Sequence, residues 1–150
     1  MALHFSKEEF EKRKLKTLQS MKEQNLDALL MFRQESMFWL TGYDTFGYVF
    51  FQTLILDQKG NVILLTRAPD LRQAQNTSNI KDIRIWVDQV QSKPTEDLKV
   101  ILNELKKDKI NLNKDFYVFT GSTVGVVPIL GKGLYVGKIE KLGTAKAIIN

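Results

Sequence analysis

The chain has 150 residues, of which 43% are hydrophobic and 26% are charged, and its formal net charge is +5. This length suits one domain that buries about two thirds of the surface of the unfolded chain. The sequence contains no cysteine, which excludes disulfides, thiolate catalysis and sulfur-bound zinc. It also has no stretch of about 18 apolar residues, so we predict neither a membrane span nor a membrane partner.

The basic residues are dispersed rather than gathered in one strip. The densest group is Lys12–Lys16, and it follows three glutamates on the same predicted helix. Acidic neighbours repel phosphate, so this group is typical of a solvated helix face, and no nucleic-acid partner is predicted. The first residues turn polar too early for a signal peptide, which together with the missing cysteines predicts a cytoplasmic protein.

The first helix is predicted to begin after Ser6. Ser6 and Glu9 have the spacing of a capping box, and Phe5 and Phe10 occupy the positions of a hydrophobic staple. The helix is expected to end near Asn25. One face of this helix is predicted to be apolar and to pack on a core; its residues are Phe10, Leu15, Leu18 and Met21.

Alternating and continuous apolar runs predict five strands. They are residues 27–32, 48–56, 61–66, 83–87 and 116–119, and the second and third form a hairpin around residues 57–60. Helices are predicted at 36–40, at 71–78 and from Pro94 onward, where apolar residues recur at 98, 101, 102 and 105. This order predicts an α/β fold: a three-layer α/β/α sandwich with a mixed sheet of about five strands.

The segment after residue 120 differs from the rest in composition. Six of the nine glycines lie between Gly121 and Gly143, and no amphipathic helix is visible there. Glycine at this density makes regular structure costly. We therefore predict a single domain over residues 1–150, with its core at about 5–119 and an atypical glycine-rich tail at 120–150.

Reactive groups are few. His4 is expected to be solvated near the start of the chain, and no second histidine exists to build a histidine-based metal site, a Ser-His pair or a histidine general base. Asp27, Asp57 and Asp88 fall at strand ends, where turn chemistry is a better interpretation than a metal site. The stretch Gly121–Gly125 lacks the lysine of a phosphate-binding loop. The sequence therefore predicts no catalytic residue and no metal in this chain.

Residues 38–51 contain seven of the fifteen aromatic residues, around a turn bracketed by Gly42 and Gly47. Three explanations remain open for so many rings near a turn: internal packing, the wall of a ligand site, or a surface for another chain. Val49, Phe50, Phe51 and Leu54 are most simply core residues of a strand. Trp39 is expected to pack beneath the turn.

Four ordered segments carry a resemblance to a known family. Residues 27–32, residues 36–43 (SMFWLTGY), the hairpin, and residues 65–70 together resemble the N-terminal domain of the creatinase/prolidase/aminopeptidase P family. The resemblance covers about residues 5–119 and is nearest to bacterial Xaa-Pro peptidase-like, creatinase-like or ectoine hydrolase-like members. It implies a ribonuclease H-like fold and a two-domain parent protein.

In that family, catalysis belongs to a C-terminal pita-bread domain, usually with two divalent metals (Mn, Co or Zn). The resemblance therefore implies that this chain is a non-catalytic N-terminal domain without a cofactor of its own. Its expected partners are the missing catalytic domain and a second subunit of a homodimer. Neither Phe50 nor its neighbours in the sequence is the arginine that creatine-hydrolysing members of the family present near this strand to bind a carboxylate, which favours a peptide or a related amide as the parent's substrate. The alternative is a stand-alone protein-interaction or dimerisation module without enzymatic role.

The resemblance also suggests a role for the aromatic turn, because this edge of the domain faces a neighbouring subunit's active site in relatives. The predicted substrate-wall and interface residues are Tyr43, Asp44, Thr45, Phe46 and Tyr48. Exposed rings on a loop usually mark an interface. The competing interpretation is a loop folded onto its own domain.

Overall fold

A computed structural model describes residues 3–107, 118–119, 131–139 and 143–149. None of the helices within these ranges is long and apolar enough to cross a membrane. Single 3₁₀ turns occur at Gly47–Val49 and Ala68–Asp70. The helices and strands, in chain order, are α1 (Lys7–Glu23), β1 (Ala28–Met31), α2 (Gln34–Thr41), β2 (Thr53–Asp57), β3 (Val62–Arg67), α3 (Leu71–Thr77), β4 (Asp82–Trp86), α4 (Pro94–Lys107), β5 (Val118–Phe119), β6 (Gly133–Ile139) and β7 (Gly143–Ile149).

The main sheet is mixed, with strand order β4-β3-β2-β1-β5. The three central strands pair antiparallel, and β4 and β5 join their neighbours in parallel. Asp57 fixes the β2–β3 turn, because its carboxylate accepts hydrogen bonds from the backbone N–H groups of Lys59 (2.8 Å) and Asn61 (2.9 Å). The predicted mixed sheet is confirmed.

Two apolar cores lie on opposite faces of this sheet, since successive strand side chains point to opposite sides. The first face is covered by α1, α2 and α3, which contribute residues such as Met21, Met37 and Ala74. The second face is covered by α4 through Ile101 and Leu105, with Leu98 and Leu102 partly buried beside them. The predicted three-layer α/β/α sandwich is therefore confirmed.

The beginning of α1 agrees with the cap and the staple predicted from the sequence. The Ser6 side chain accepts a hydrogen bond from the Glu9 backbone N–H at 3.2 Å, and the Phe5 and Phe10 rings meet edge to face, 5.7 Å apart. Two details of the prediction are wrong. The Glu9 carboxylate pairs with Arg13 at 2.8 Å instead of completing the capping box. Leu15 is exposed, because it lies five residues, or about 140° around the helix, from Phe10.

The predicted strand at residues 48–56 is wrong in its first half. The strand β2 begins at Thr53, because a 3₁₀ turn occupies Gly47–Val49. Val49 and Phe50 were expected in the core and are exposed, whereas Phe51 packs against the second core and Leu54 is fully buried. Trp39, expected beneath the turn, is also exposed.

The tail contains regular structure that its glycine-rich sequence did not predict. Strands β6 and β7 form an antiparallel hairpin, which is a two-stranded sheet of its own. The predicted fifth strand at 116–119 is represented by Val118 and Phe119, which pair with β1. The glycine segment 121–125 lies outside the described residues.

We expect Ile101→Ala to lower the free energy of unfolding by about 2–5 kcal/mol, because it leaves a cavity where α4 packs on the sheet. Val100→Ala removes an exposed aliphatic side chain from the next position of the same helix, and it should change stability by no more than about 0.5 kcal/mol. Denaturant unfolding of both variants measures the difference. Equal small losses would mean that α4 does not cover the second face.

Candidate functional site

The connection between α2 and β2, residues 43–52, is the candidate site and is called the aromatic loop below. It starts where Gly42 ends α2 with φ of +81°. A methyl group built on Gly42 would lie 2.8 Å from the Thr77 carbonyl oxygen. Both the backbone conformation and the close approach of α3 therefore require glycine at this position.

Tyr43 anchors the aromatic loop from inside the protein. Its ring is fully buried in the first core. Its hydroxyl donates to the Gln52 side-chain oxygen at 3.1 Å and lies 3.0 Å from the Thr66 hydroxyl. These contacts join both ends of the loop to β3. The expectation that Tyr43 is an exposed interface ring is wrong, because its hydroxyl finds partners on an adjacent strand.

Thr45 also faces inward, and its hydroxyl accepts a hydrogen bond from the Gly47 N–H at 2.8 Å. Asp44 is half-exposed at the margin of the loop. Its backbone N–H donates to the Thr77 hydroxyl at 3.1 Å, and its carboxylate lies 3.9 Å from His4 Nε2. Of the predicted site residues, Thr45 is therefore a buried residue that stabilises the loop. The Asp44 carboxylate is accessible at the surface.

The 3₁₀ turn at Gly47–Val49 packs on a buried carboxylate. A methyl group built on Gly47 would lie 2.5 Å from an Asp70 carboxylate oxygen. Asp70 accepts a hydrogen bond from Arg67 Nε at 3.3 Å, and the same guanidinium reaches Asp88 at 3.4 Å. The Arg67 guanidinium also lies 3.6 Å from the centroid of the Phe50 ring. Glycine is required here because the turn packs directly on a side chain that is itself held in place.

Four neighbouring side chains of the aromatic loop point outward. Phe46 is 86% exposed, and the others are also exposed. We call this set the apolar patch; it consists of Phe46, Tyr48, Val49 and Phe50. Phe46 and Tyr48 are exposed, as predicted. Val49 and Phe50 are exposed as well, although the sequence predicted them to be core residues. The signal that would have found them is Thr45 two residues before Gly47, the pattern of a hydroxyl-stabilised turn.

The chemistry that this arrangement offers is apolar contact. The Arg67 charge is compensated by two carboxylates, and Asp57 is occupied by the turn between β2 and β3. Across the described ranges, no three histidine, cysteine or acidic side chains gather in a way that would hold a metal ion. The exposed surface of the aromatic loop therefore consists of three aromatic rings and one aliphatic side chain, which offer apolar contacts.

Gly47→Ala is expected to lower the free energy of unfolding by about 1–3 kcal/mol, because the added methyl group overlaps the Asp70 carboxylate. Gly131→Ala adds the same group where nothing lies within 4 Å, and its stability should stay near that of the wild type. Thermal unfolding of the two variants provides the comparison. A neutral Gly47→Ala would show that the turn does not depend on its contact with Asp70.

The Tyr43 hydroxyl gives a prediction for alkaline pH. Burial raises the pKa of Tyr43, so folding favours the neutral hydroxyl. The corresponding stability is fully present below the ordinary tyrosine pKa of about 10, and it is lost as pH rises through the higher pKa of the folded state.

We therefore expect the unfolding free energy of the wild type to fall more steeply above pH of about 10 than that of Tyr43→Phe. Tyr48→Phe alters an exposed ring and should keep the wild-type slope. Urea unfolding across this pH range tests the difference. Identical slopes for all three proteins would contradict a buried, neutral Tyr43 hydroxyl.

Comparison with solved structures shows the same fold in several peptidases. An Xaa-Pro aminopeptidase from Streptococcus pyogenes is 24% identical with a TM-score of 0.54, and the match covers 71% of this chain and 72% of that one. A dipeptidase from Pyrococcus horikoshii OT3 is 22% identical with a TM-score of 0.53, and the match covers 63% and 25% of the two chains. At these identities the likeness concerns the fold.

Sequence comparison adds a curated relative and a family. An uncharacterized hydrolase/peptidase, y4tM, of Sinorhizobium fredii (strain NBRC 101917 / NGR234) is 33% identical over 84 residues, which are 55% of this chain and 21% of that protein. The chain thus spans about a fifth of the length of the curated relative. The family model described as the Creatinase/Prolidase N-terminal domain matches residues 13–125. The chain therefore belongs to the creatinase/prolidase N-terminal domain family.

Proposed function

We propose that this chain is the non-catalytic N-terminal domain of a hydrolase that cleaves a peptide bond or a related amide. In this role it contributes to a homodimer, and the apolar patch contacts the neighbouring subunit and forms part of the wall of that subunit's substrate site. The choice of a peptide bond is supported by the solved neighbours, which are named as an Xaa-Pro aminopeptidase and a dipeptidase. A cytoplasmic location remains part of the same proposal.

The observation that carries the proposal is the exposure of the apolar patch on a loop that the protein holds in place. Apolar patches of this kind usually mark an interface in a soluble protein. The Tyr43 and Gly47 contacts fix the loop before any partner binds, so little conformational entropy is lost on association. Asp44 lies beside the patch, where its carboxylate can orient a polar group of the partner.

The assignment as non-catalytic rests on the side chains of the described residues. His4 contacts Asp44 and Phe38 near the start of the chain, and no nucleophile is hydrogen-bonded to it. Of the acidic groups that the sequence singled out, Asp57 is engaged in the β2–β3 turn and Asp88 in an ion pair with Arg67. We place the two divalent metals of the proposed parent hydrolase (Mn, Co or Zn) in its catalytic domain.

A second candidate function is a stand-alone protein-interaction or dimerisation module. One observation favours it: the apolar patch is already exposed and supported within this domain, so no other domain is needed to build it. Catalysis separates the two candidates. A full-length protein whose peptidase activity depends on the patch supports the first, whereas a patch needed only for binding supports the second.

We expect Phe46→Ala and Tyr48→Ala, introduced into the full-length hydrolase that contains this domain, to lower kcat/KM or to weaken dimerisation. Because both side chains are exposed, the unfolding free energy of the isolated chain should change by no more than about 0.5 kcal/mol. Steady-state kinetics with an Xaa-Pro dipeptide, sedimentation and denaturant unfolding provide the three measurements.

Leu15→Ala is the matched control, because it removes an exposed apolar side chain from α1, away from the loop. It should leave activity and dimerisation at wild-type values. Loss of several kcal/mol in the patch variants with unchanged activity and assembly would mean that the rings support only their own domain. That result would exclude the proposed interface.

A further inference from the structure

Arg67 is the last residue of β3, and its guanidinium connects three separate segments of the chain. Its Nε donates to the Asp70 carboxylate at 3.3 Å, and its Nη1 donates to the Asp88 carboxylate at 3.4 Å. Its carbon atom Cζ lies 3.6 Å from the centroid of the Phe50 ring. The side chain is 17% exposed, so it is largely covered by protein.

The two carboxylates fix the plane of the guanidinium. The N–H groups of arginine all lie in that plane, so the hydrogen bonds to Asp70 and Asp88 hold two of its edges. The flat face is left for the Phe50 ring, and at 3.6 Å the two groups have room only to stack. Stacking of this kind is favourable, and it restricts the ring to orientations parallel to the guanidinium.

The contact with Arg67 matters to Phe50 because the ring otherwise lies at the surface. Phe50 is 40% exposed, and its ring contacts no other aromatic ring among the residues that the structure describes. Its backbone N–H donates to the Gly47 carbonyl at 2.9 Å, which holds the main chain and not the side-chain torsions. One face of the ring therefore lies on the guanidinium, and the exposed part belongs to the apolar patch.

We propose that Arg67 is a positioning residue of the candidate site: it orients the Phe50 ring for apolar contact with the neighbouring subunit's substrate site, and Asp88 holds Arg67 in place. The role of Phe50 in that contact rests on the proposed function, whereas the action of Asp88 through Arg67 rests on the contacts within this chain. A ring that is oriented before its partner arrives loses less conformational entropy on binding. Arg67 and Asp88 thus contribute to binding although neither needs to touch the ligand.

Asp88 is the position at which this role can be separated from stability. It lies two residues after β4, in the connection to α4, and its side chain is 54% exposed. Asp70 also lies against the Gly47 backbone, so changing Asp70 would disturb the 3₁₀ turn as well. Asp88→Asn leaves Asp70 to neutralise Arg67. Because exposed ion pairs contribute little to stability, this variant should unfold like the wild type.

The first test observes the stacking itself, by NMR on the full chain. In the wild type, nuclear Overhauser effects should connect the Phe50 ring protons with the Arg67 side-chain protons, because the two groups are in contact. Asp88→Asn should weaken these signals severalfold, since the guanidinium loses one of the two carboxylates that fix its plane.

The second test uses the full-length hydrolase that contains this domain, with an Xaa-Pro dipeptide. Asp88→Asn should raise KM by about three- to tenfold, the effect of losing one cation–π contact, and should leave kcat near its wild-type value. Arg67→Lys keeps the positive charge but not the planar face, and it should raise KM to a similar extent. In a Phe50→Leu background, Asp88→Asn should have no further effect, because the ring through which it acts is gone.

Asp82→Asn is the matched control. Asp82 is also a partly exposed aspartate that pairs with an arginine, Arg84, at 3.1 Å. It lies at the opposite end of β4, since Asp82 is paired with Ile63 at the start of β3 and not with Arg67. The control should leave both the NMR signals and KM at wild-type values.

Three results would overturn the inference: ring-to-guanidinium signals that Asp88→Asn leaves intact, an equal rise in KM from Asp88→Asn and Asp82→Asn, or a full effect of Asp88→Asn in the Phe50→Leu background. Weakened signals in Asp88→Asn, with KM unchanged in both Asp88→Asn and Phe50→Leu, would support the positioning of the ring and contradict the proposed function. The inference and the proposed function can therefore fail separately.

Discussion

The burial of Tyr43 is the interaction on which the rest of the candidate site depends. A ring that is fully buried in an apolar core needs partners for its hydroxyl, and Gln52 and Thr66 supply them. Thr66 belongs to β3, so a side chain at the start of the loop is connected to the centre of the sheet. The path that the chain can take between Tyr43 and Gln52 is restricted as a result.

The exposure of the apolar patch follows from this restriction. Both ends of the aromatic loop are fixed, and the Gly47 backbone lies against Asp70, so the turn has no room to fold inward. The side chains next to the turn therefore face solvent. Their position is determined by the hydrogen bonds of the Tyr43 hydroxyl and by the contact between Gly47 and Asp70.

The order and layering of the elements were predictable from the sequence because they depend on local periodicity. The apolar spacing in α4 and the cap at Ser6 both reflect contacts within a few residues, and both predictions were confirmed. The assignment of rings in the aromatic loop was less successful. Tyr43 and Phe46 look equivalent in the sequence. In the structure Tyr43 is buried, and its hydroxyl contacts that of Thr66, a residue 23 positions away.

Distance along the chain also explains the misplaced start of β2. Residues 48–52 have the composition of a strand, and the turn that replaces it is held by Asp70 on the far side of the hairpin. The β6–β7 hairpin escaped prediction for another reason. High glycine content is unfavourable for strands on average, yet the alternating residues between the glycines are sufficient for one pair of strands.

The sheet order has a consequence for the sequence of events during folding. The strands β1, β2 and β3 are consecutive in the chain and antiparallel, so they can pair through short connections, whereas β4 and β5 join in parallel after longer crossovers. Contacts close in sequence form fastest. The groups that hold the aromatic loop in place, including Thr66 and Asp70, lie within or just after this early unit. Every residue that holds the aromatic loop in place precedes α4 in the chain, so the apolar patch can be formed without the helix that covers the second face of the sheet.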